Sequence, residues 1–201
     1  MAADQSADRS AHSKSSPFDY LPFTIYHLPV MDLPKGGTLT LRPVTKDDEP
    51  FLVALYGSTR AAELSQVEWQ EGQRDIFVRW QFDMQRREYD ARFPEARYQL
   101  VVIDGEPAGR FWVGEDDEEI RLLDIALLPE FQKRGAGTIL LRHLMKEADG
   151  AGKRLRHMVF VLNDNAHRFY ERLGFVVIED VGAYKHMEYR SQEQEAGAGG
   201  R

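Results

Sequence analysis

A short turn rich in glycine and basic residues carries the clearest chemical signal in the chain. It comprises Gln132, Lys133, Arg134, Gly135, Ala136, Gly137 and Thr138. A buried strand ending at Pro129 precedes the turn, and a helix beginning near Gly135 follows it. A helix start leaves backbone N–H groups without partners and carries the positive end of the helix dipole, while glycine lets a ligand approach the backbone closely. The pattern therefore predicts an anion site suited to phosphate groups.

Two familiar phosphate-binding motifs fit this turn poorly. A dinucleotide fingerprint needs a third glycine where Leu140 stands, and its strand should run directly into the turn. A Walker loop needs lysine after its glycine, and neither Gly135 nor Gly137 is followed by lysine. A Rossmann-like nucleotide binder is therefore the weakest of the three functional hypotheses considered for this chain.

The turn resembles the acyl-CoA site of the GNAT superfamily of N-acetyltransferases, in which Gln/Arg-x-x-Gly-x-Gly/Ala follows a strand and a proline. Residues 132–137 match that motif. A second family signature, Asn-x-x-Ala-x-x-Phe/Leu-Tyr-x-x-Leu-Gly-Phe, is matched by residues 163–175. The resemblance extends over residues 38–189 in the order of elements. It implies an α/β (α+β) fold with a GNAT-like mixed, largely antiparallel central sheet flanked by helices.

The resemblance also implies acetyl-CoA as co-substrate and direct acetyl transfer to a primary amine of a small molecule or peptide, with no metal. In this family the central strand parts from its neighbour near a bulge, and a backbone N–H around Leu127 would stabilise the oxyanion. The strand edge would pair with the pantetheine arm. The residues implied to bind CoA are Ile125, Ala126, Leu127, the turn from Gln132 to Thr138, Asn163 and Tyr170.

Proton transfer needs an acid and a base. Tyr170 is our candidate for the general acid that protonates the departing thiolate, because a phenol can donate a proton at neutral pH; its alternative role is that of a core aromatic. Many relatives place a glutamate six residues before the position of Leu127, where this chain has Arg121. Asp124 and Glu119 are the remaining candidates for the base. An unpaired carboxylate at Asp124 would be costly inside an apolar strand, so Asp124 should face the cleft or have a hydrogen-bonding partner.

Other polar residues have two interpretations each. Asn163 either contacts CoA or caps the helix that follows it. Arg86, Arg87 and Tyr184 are candidate acceptor contacts, although exposed charge also explains the arginines. The histidines have no metal-site spacing, so we expect surface or packing positions for His143, His157, His167 and His186.

The elements that must position these residues follow from periodicity. Residues 38–44 alternate as a strand, and Thr45 caps a first helix. A second helix is predicted over residues 72–87, with Ile76, Phe77, Trp80 and Met84 along one side and Val78 and Phe82 on another. Two apolar sides indicate either core packing on more than one side or an exposed apolar wall beside a ligand. Asp104-Gly105 marks a hairpin turn between two strands. The remaining predicted elements are the central strand, the helix after Gly135, a strand at 156–162, a short helix after Asn163, and two strands at 175–178 and 184–189.

Composition bounds the class of protein. The 201 residues are 42% hydrophobic and 11% aromatic, which favours one folded domain, predicted over residues 18–190 between a disordered leader (1–17) and a disordered tail (191–201). A net charge of −7 argues against nucleic-acid binding. The absence of cysteine excludes disulfides and thiolate zinc sites. Neither a signal peptide nor a membrane-spanning run is evident, so we expect a cytoplasmic protein, monomeric or homodimeric, with an amine substrate as partner.

The alternative function is CoA binding without catalysis. A catalytically inactive CoA-binding sensor or scaffold would retain the glycine turn, and Arg121 at the usual position of the acid favours that alternative. Release of free CoA in the presence of amines separates the two hypotheses.

Overall fold

A single eight-stranded sheet organises residues 30–190, the part of the chain that the computed structural model describes. The strands are β1 (Met31–Asp32), β2 (Thr38–Pro43), β3 (Arg97–Ile103), β4 (Glu106–Glu115), β5 (Glu119–Leu127), β6 (Arg154–Phe160), β7 (Phe175–Val181) and β8 (Tyr184–Tyr189). The helices are α1 (Glu49–Thr59), α2 (Ala61–Leu64), α3 (Gln73–Arg92), α4 (Ala136–Ala151) and α5 (Asp164–Glu171), with 3-10 turns at Lys46–Asp48 and Pro129–Phe131. The helices of this described range include none long and apolar enough to cross a lipid bilayer.

The strands lie in the order β1-β2-β3-β4-β5-β6-β8-β7. Neighbouring strands are antiparallel throughout, except that β5 and β6 run parallel and are connected through α4. The mixed, largely antiparallel sheet flanked by helices confirms the predicted fold class.

The sheet separates two apolar cores because side chains alternate between its faces. On one face Val101 and Ile103 pack with α4 and with Tyr170 of α5. On the other face Leu100 packs with α1 and α3. The strands in the middle of the sheet therefore contact helices on both sides, and any gap between two of these strands opens between the helix layers.

The first helix begins directly after its predicted cap, Thr45, with a 3-10 turn at Lys46–Asp48. Thr45 donates through its backbone N–H to the Asp48 carboxylate at 2.8 Å and through its hydroxyl at 2.9 Å. Arg42 also pairs with Asp48, at 2.6 Å. Regular α1 starts at Glu49 because Pro50, which has no N–H to donate, is accommodated only in a first helical turn.

Of the two apolar sides predicted for the second long helix, α3, one is buried and the other is exposed. Val78 and Phe82 are the side chains of α3 that enter the core. Ile76 and Trp80 are 73% and 57% exposed, and Met84 is also exposed. The periodicity correctly predicted a helix with two apolar sides. The side of Val78 and Phe82 is buried in the core, whereas the side of Ile76, Trp80 and Met84 is an exposed apolar surface. The helix also continues five residues past the predicted end, to Arg92.

The predicted leader at 1–17, the aromatic residues of 18–29 and the predicted tail at 191–201 lie outside the described residues.

Candidate active site

The gap between β5 and β6 forms the candidate site. The two strands pair only from Glu119 opposite Arg154 to Leu122 opposite His157, and then continue without pairing. The parting coincides with a bulge: Trp112 of β4 is opposite Asp124 and Val113 is opposite Leu122. Leu123 is therefore the extra residue, and such an insertion bends and twists its strand locally.

A cavity of about 600 Å³ occupies this gap and extends towards α1 and α3. Its walls combine the parted strands with the start of α5. The residues from β5, β6 and α5 are Leu123, Asp124, Ile125, Ala126, Leu127, His157, Met158, Val159, Phe160, Ala166 and Tyr170. The residues from α1, α2 and α3 are Tyr56, Thr59, Glu63, Gln81, Gln85 and Tyr89. The lining is completed by Arg60, which lies between α1 and α2, and by Arg110, Gln132, Asn163 and Tyr184.

The free edge of β5 presents backbone groups to this cavity. The amide of Leu128 donates to the carbonyl of Ala108 in β4 at 2.9 Å. Because backbone groups alternate along a strand, those of Ile125 and Leu127 point away from β4, into the gap, whereas those of Ala126 point towards β4. Gln132 donates through Nε2 to the Leu127 carbonyl at 2.8 Å. The amides of Ile125 and Leu127 therefore remain available to an extended ligand.

The glycine turn supplies a row of backbone donors next to the cavity. In the hydrogen bonding of residues 30–190, none of the six amides from Lys133 to Thr138 has an acceptor, and the first donor of the helix to bond back is Ile139, to Gly135 at 3.0 Å. Gly135 has φ +96° and Lys133 has φ +60°, both in the left-handed region. A Cβ on Gly135 would lie 2.9 Å from Cδ of Pro34, so the position is closed to larger residues. The side chain of Arg134 lies over the Phe131 ring, with Cζ 5.3 Å from the ring centroid.

Tyr170 lies on the cavity wall and is 3% exposed. The hydrogen bonds of the described residues include none from its hydroxyl group, so the group is available to a ligand. Burial raises the pKa of Tyr170 far above its ordinary value, and the nearby Asp124 charge adds to that effect. The phenol therefore keeps its proton at neutral pH.

His157 stands beside Tyr170, with the two ring centroids 4.5 Å apart. Its Nδ1 lies 2.8 Å from the carbonyl oxygen of Leu122, at the last paired position of β5 and β6. A carbonyl only accepts, so Nδ1 carries the proton and Nε2 is left with its lone pair. Burial lowers the pKa of His157 to about 4, so the ring is neutral at pH 7. Sequence spacing did not assign His157 to the site, because its position depends on where the strands part.

Asp124 both faces the cavity and has a partner, the two conditions that its place in an apolar strand suggested. Its carboxylate pairs with Nε of Arg110, which is 2% exposed. Arg110 also donates from Nη2 to Oε1 of Gln85 at 2.9 Å. The second carboxylate oxygen of Asp124 has no hydrogen-bond partner in the described part of the chain. The sequence did not indicate Arg110 as a site residue, because a single arginine in an otherwise apolar strand forms no recognisable motif.

Glu119 lies away from the cavity, at the opposite end of β5. Its carboxylate accepts from Arg121 at 2.8 Å and from Arg156 at 3.1 Å. Arg156 also pairs with Glu188 at 2.8 Å. This cluster accounts for Arg121, which stands at the position where many relatives have the general base. The arginine belongs to a network of ion pairs at the end of β5 that lies away from the cavity. The structure brings Asp124 to the site and does not bring Glu119.

Asn163 caps α5 and also lines the cavity. Its Oδ1 accepts from the Ala166 amide at 3.1 Å, as an N-cap residue does at the start of a helix. Its Nδ2 group has no acceptor among the hydrogen bonds of the described residues. The cap and a ligand contact are therefore compatible.

Of the three candidate acceptor contacts, one lines the cavity and two do not. Tyr184 lines the cavity. Arg86 does not; it pairs with Glu49 at 3.4 Å and with Asp90 at 3.7 Å. Arg87 is exposed and also lies outside the lining. Within residues 30–190 there is no group of three or more His, Asp or Glu side chains arranged to hold a metal ion.

This chain is similar in sequence to known proteins. The sequence model of the acetyltransferase (GNAT) family matches residues 61–175, a range that contains both predicted motifs. The chain is 29% identical over 163 residues to the uncharacterized N-acetyltransferase MJ1207 of Methanocaldococcus jannaschii, covering 76% of this chain and 67% of the relative.

Solved structures show the same fold. The PaiA N-acetyltransferase of Thermoplasma acidophilum, in complex with coenzyme A, matches with a TM-score of 0.59 at 18% identity, over 76% of this chain and 99% of that one. An acetyltransferase of Thermus thermophilus matches with a TM-score of 0.56 at 24% identity, over 81% and 97%.

Proposed function

Because this chain belongs to the acetyltransferase (GNAT) family, we propose that it transfers an acetyl group directly from acetyl-CoA to a primary amine. One observation carries the proposal: six adjacent amides, from Lys133 to Thr138, have no acceptor among residues 30–190, and they follow a strand whose free edge faces a cavity. This arrangement fits a ligand with a charged diphosphate and a long amide-bearing arm.

The donor substrate would be held almost entirely by backbone groups. The pyrophosphate fits the amides of the glycine turn, where the N-terminus of α4 adds its dipole. Lys133 and Arg134 provide positive charge beside these amides. The pantetheine arm fits the gap, pairing with the free backbone groups of Ile125 as an additional strand would. The free amide of Leu127 is then left for the thioester carbonyl.

The transfer itself requires proton movements at the amine and at the leaving sulfur. The substrate ammonium gives up a proton to the free oxygen of Asp124, directly or through water, and the neutral amine attacks the thioester carbon. The amide of Leu127 donates to the oxygen of that carbonyl as it gains negative charge. When the C–S bond breaks, the electron pair leaves with sulfur and Tyr170 donates its proton to the thiolate. The acetylated nitrogen then gives its second proton to the Tyr170 phenolate, which restores the phenol, and the protonated Asp124 releases its proton to solvent.

The high pKa of Tyr170 is compatible with this role. Burial disfavours charge on any group in the cavity, so it also raises the proton affinity of a thiolate formed there. Asp124 differs from a solvent-exposed carboxylate because Arg110 fixes one of its oxygens and leaves the other facing the cavity.

The test combines binding and turnover. Calorimetry should detect CoA binding, and a panel of primary amines should release free CoA from acetyl-CoA, with the acetylated amine identified by mass spectrometry. Tyr170→Phe should lower kcat by about 10²–10⁴-fold, the range typical of a lost acid–base group, with unchanged CoA affinity. Tyr189→Phe is the matched control, because that hydroxyl lies outside the cavity, 3.5 Å from Asp149.

Two results would contradict the proposal. If CoA binds and no amine in the panel releases it, the protein is the inactive CoA-binding module instead. If Tyr170→Phe turns over as fast as the control, Tyr170 is a packing residue and the acid lies elsewhere.

A further inference from the structure

The acceptor end of the cavity contains Arg60, a cation that forms no ion pair within residues 30–190. Arg60 caps the C-terminus of α1 and lines the cavity. Its guanidinium lies on the ring of Tyr56, with Cζ 4.3 Å from the ring centroid. Across residues 30–190, no carboxylate lies within 4.0 Å of this guanidinium. Arg60 is therefore held in place by an aromatic face and keeps its donors for a ligand.

Tyr56 links Arg60 to the predicted reaction centre. The Tyr56 ring centroid is 4.3 Å from Cζ of Arg60 and 5.6 Å from Cζ of Arg110, so the two guanidinium carbons are at most about 10 Å apart. Arg110 is paired with Asp124. A small molecule can therefore span from the Asp124 carboxylate to the Arg60 guanidinium within one cavity.

The charges of this cavity favour a substrate with two opposite charges. The Arg110–Asp124 pair is neutral as a unit, and Asp124 offers a free oxygen to an ammonium group. At the other end, Arg60 offers paired N–H donors with the geometry of a carboxylate or phosphate. Gln81 and Gln85 add neutral hydrogen-bonding groups to the wall between them.

We propose that the acceptor is an amine that also carries an anionic group, a carboxylate or a phosphate, and that Arg60 binds this group while the amine lies at Asp124. The inference rests on the proposed acetyl transfer and narrows its acceptor. Glu63 is the one acidic side chain of the lining besides Asp124, and it is exposed, so solvent screens its charge more than that of half-buried Arg60.

A matched set of acceptors tests the far-end charge alone. Pentylamine, 5-aminopentanoate and 1,5-diaminopentane have the same five-carbon length and end in a neutral, an anionic and a cationic group. We expect kcat/KM for 5-aminopentanoate to exceed that for pentylamine by about 10-fold or more, as for a charge-assisted hydrogen bond. A fourth acceptor, 4-aminobutylphosphonate, distinguishes recognition of a phosphate-like group from recognition of a carboxylate.

Variants assign the preference to Arg60. Arg60→Gln should lower the ratio of kcat/KM for 5-aminopentanoate to kcat/KM for pentylamine from about 10 to about 1, because it removes the cation and leaves Asp124 in place. Arg60→Lys should retain part of the advantage because the charge remains. Arg74→Gln on the exposed surface of α3 is the control, and it should leave the preference intact. Equal melting temperatures of the four proteins exclude a folding effect.

The outcomes separate this inference from the proposed function. If amines are acetylated with no preference for an anionic group, or if Arg60→Gln keeps the preference, the inference is wrong and acetyl transfer stands. A preference for 1,5-diaminopentane would assign the far end to Glu63 and would also overturn it. If none of the four amines, and no other amine, is acetylated while CoA binds, the proposed function fails and this inference fails with it.

Discussion

Gly109 of β4 is the position where one added methyl group should separate stability from activity most clearly. A Cβ at Gly109 would lie 2.1 Å from the carbonyl oxygen of Ala126, 2.7 Å from Cδ2 of Leu127 and 3.0 Å from Cα of Leu127. Carbon and oxygen that are not bonded stay about 3.3 Å or more apart, so Gly109→Ala requires β4 and β5 to move apart by roughly 1 Å. The obstacle is backbone, so no side-chain rotation relieves it.

The expected cost follows from this displacement. Overpacking typically costs about 1–3 kcal/mol, and a backbone clash belongs at the upper end of that range. For a chain of this size, about 3 kcal/mol lowers the melting temperature by about 6–12 °C. The same movement shifts Leu127, whose amide we assign to the oxyanion, and a misplacement of about 1 Å is enough to cost about 10²-fold in kcat.

The measurements are thermal denaturation and acetyl transfer at a temperature where the variant is fully folded. Gly150→Ala is the control, because a Cβ at Gly150 in α4 would meet no heavy atom within 4 Å. We expect that control to gain about 0.5–1 kcal/mol, the usual difference between alanine and glycine inside a helix, with unchanged activity. If Gly109→Ala melts with the wild type and turns over at its rate, the contact between the strands and the role of Leu127 are both refuted.

Three further predictions concern pH and backbone geometry. The folded-state pKa of His157 is about 4, against 6.5 for the free group, so the unfolded chain binds a proton first as the pH falls. The free energy of unfolding should therefore fall by up to about 3 kcal/mol as the pH drops from 6.5 to 4. Urea denaturation of the His157→Asn variant across this range should not show that loss. Arg42 lowers the pKa of the Asp48 carboxyl well below its usual range. The stability that the Arg42–Asp48 pair contributes is therefore present above pH 4 and is lost on further acidification. Asp48→Asn should lower the free energy of unfolding by about 1–3 kcal/mol at pH 7, as measured by urea denaturation. The variant should also lose less stability than the wild type below pH 4. Gly135→Ala should weaken CoA binding in calorimetry by at least about 10-fold, because φ +96° and Pro34 at 2.9 Å force the turn to move; unchanged affinity would show that the amides of the turn do not hold the ligand.

The parts of the site that sequence could predict are those encoded within one short segment. The glycine turn, the start of α4 and the Asn163 cap depend on residues within a few positions of one another, and all appear where expected. The hairpin at Asp104 and Gly105 is equally local, with both residues at positive φ as a two-residue turn requires.

The parts that could not be predicted depend on pairing between distant segments. Arg110 and Asp124 meet because the strands pair in a particular register, and a register is not visible in either strand alone. His157 joins the site only because the ladder with Leu122 ends there. The outward face of α3 is a similar case: periodicity identifies apolar stripes but does not say which stripe meets the sheet.

The bulge at Leu123 connects the donor and acceptor halves of the site. Ile120 and Leu122 direct their side chains into the core beneath α4, and an unbroken strand would send Asp124 to the same apolar side. The extra residue reverses the alternation, so Ile125 and Leu127 pack towards α4 while Ala126 faces the α1 and α3 core. Asp124 therefore points to the acceptor side, where Arg110 pairs with it and in turn donates to Gln85. The same reversal turns the amides of residues 125 and 127 towards the gap. One inserted residue thus determines both which face carries the carboxylate and which amides an extended donor can reach.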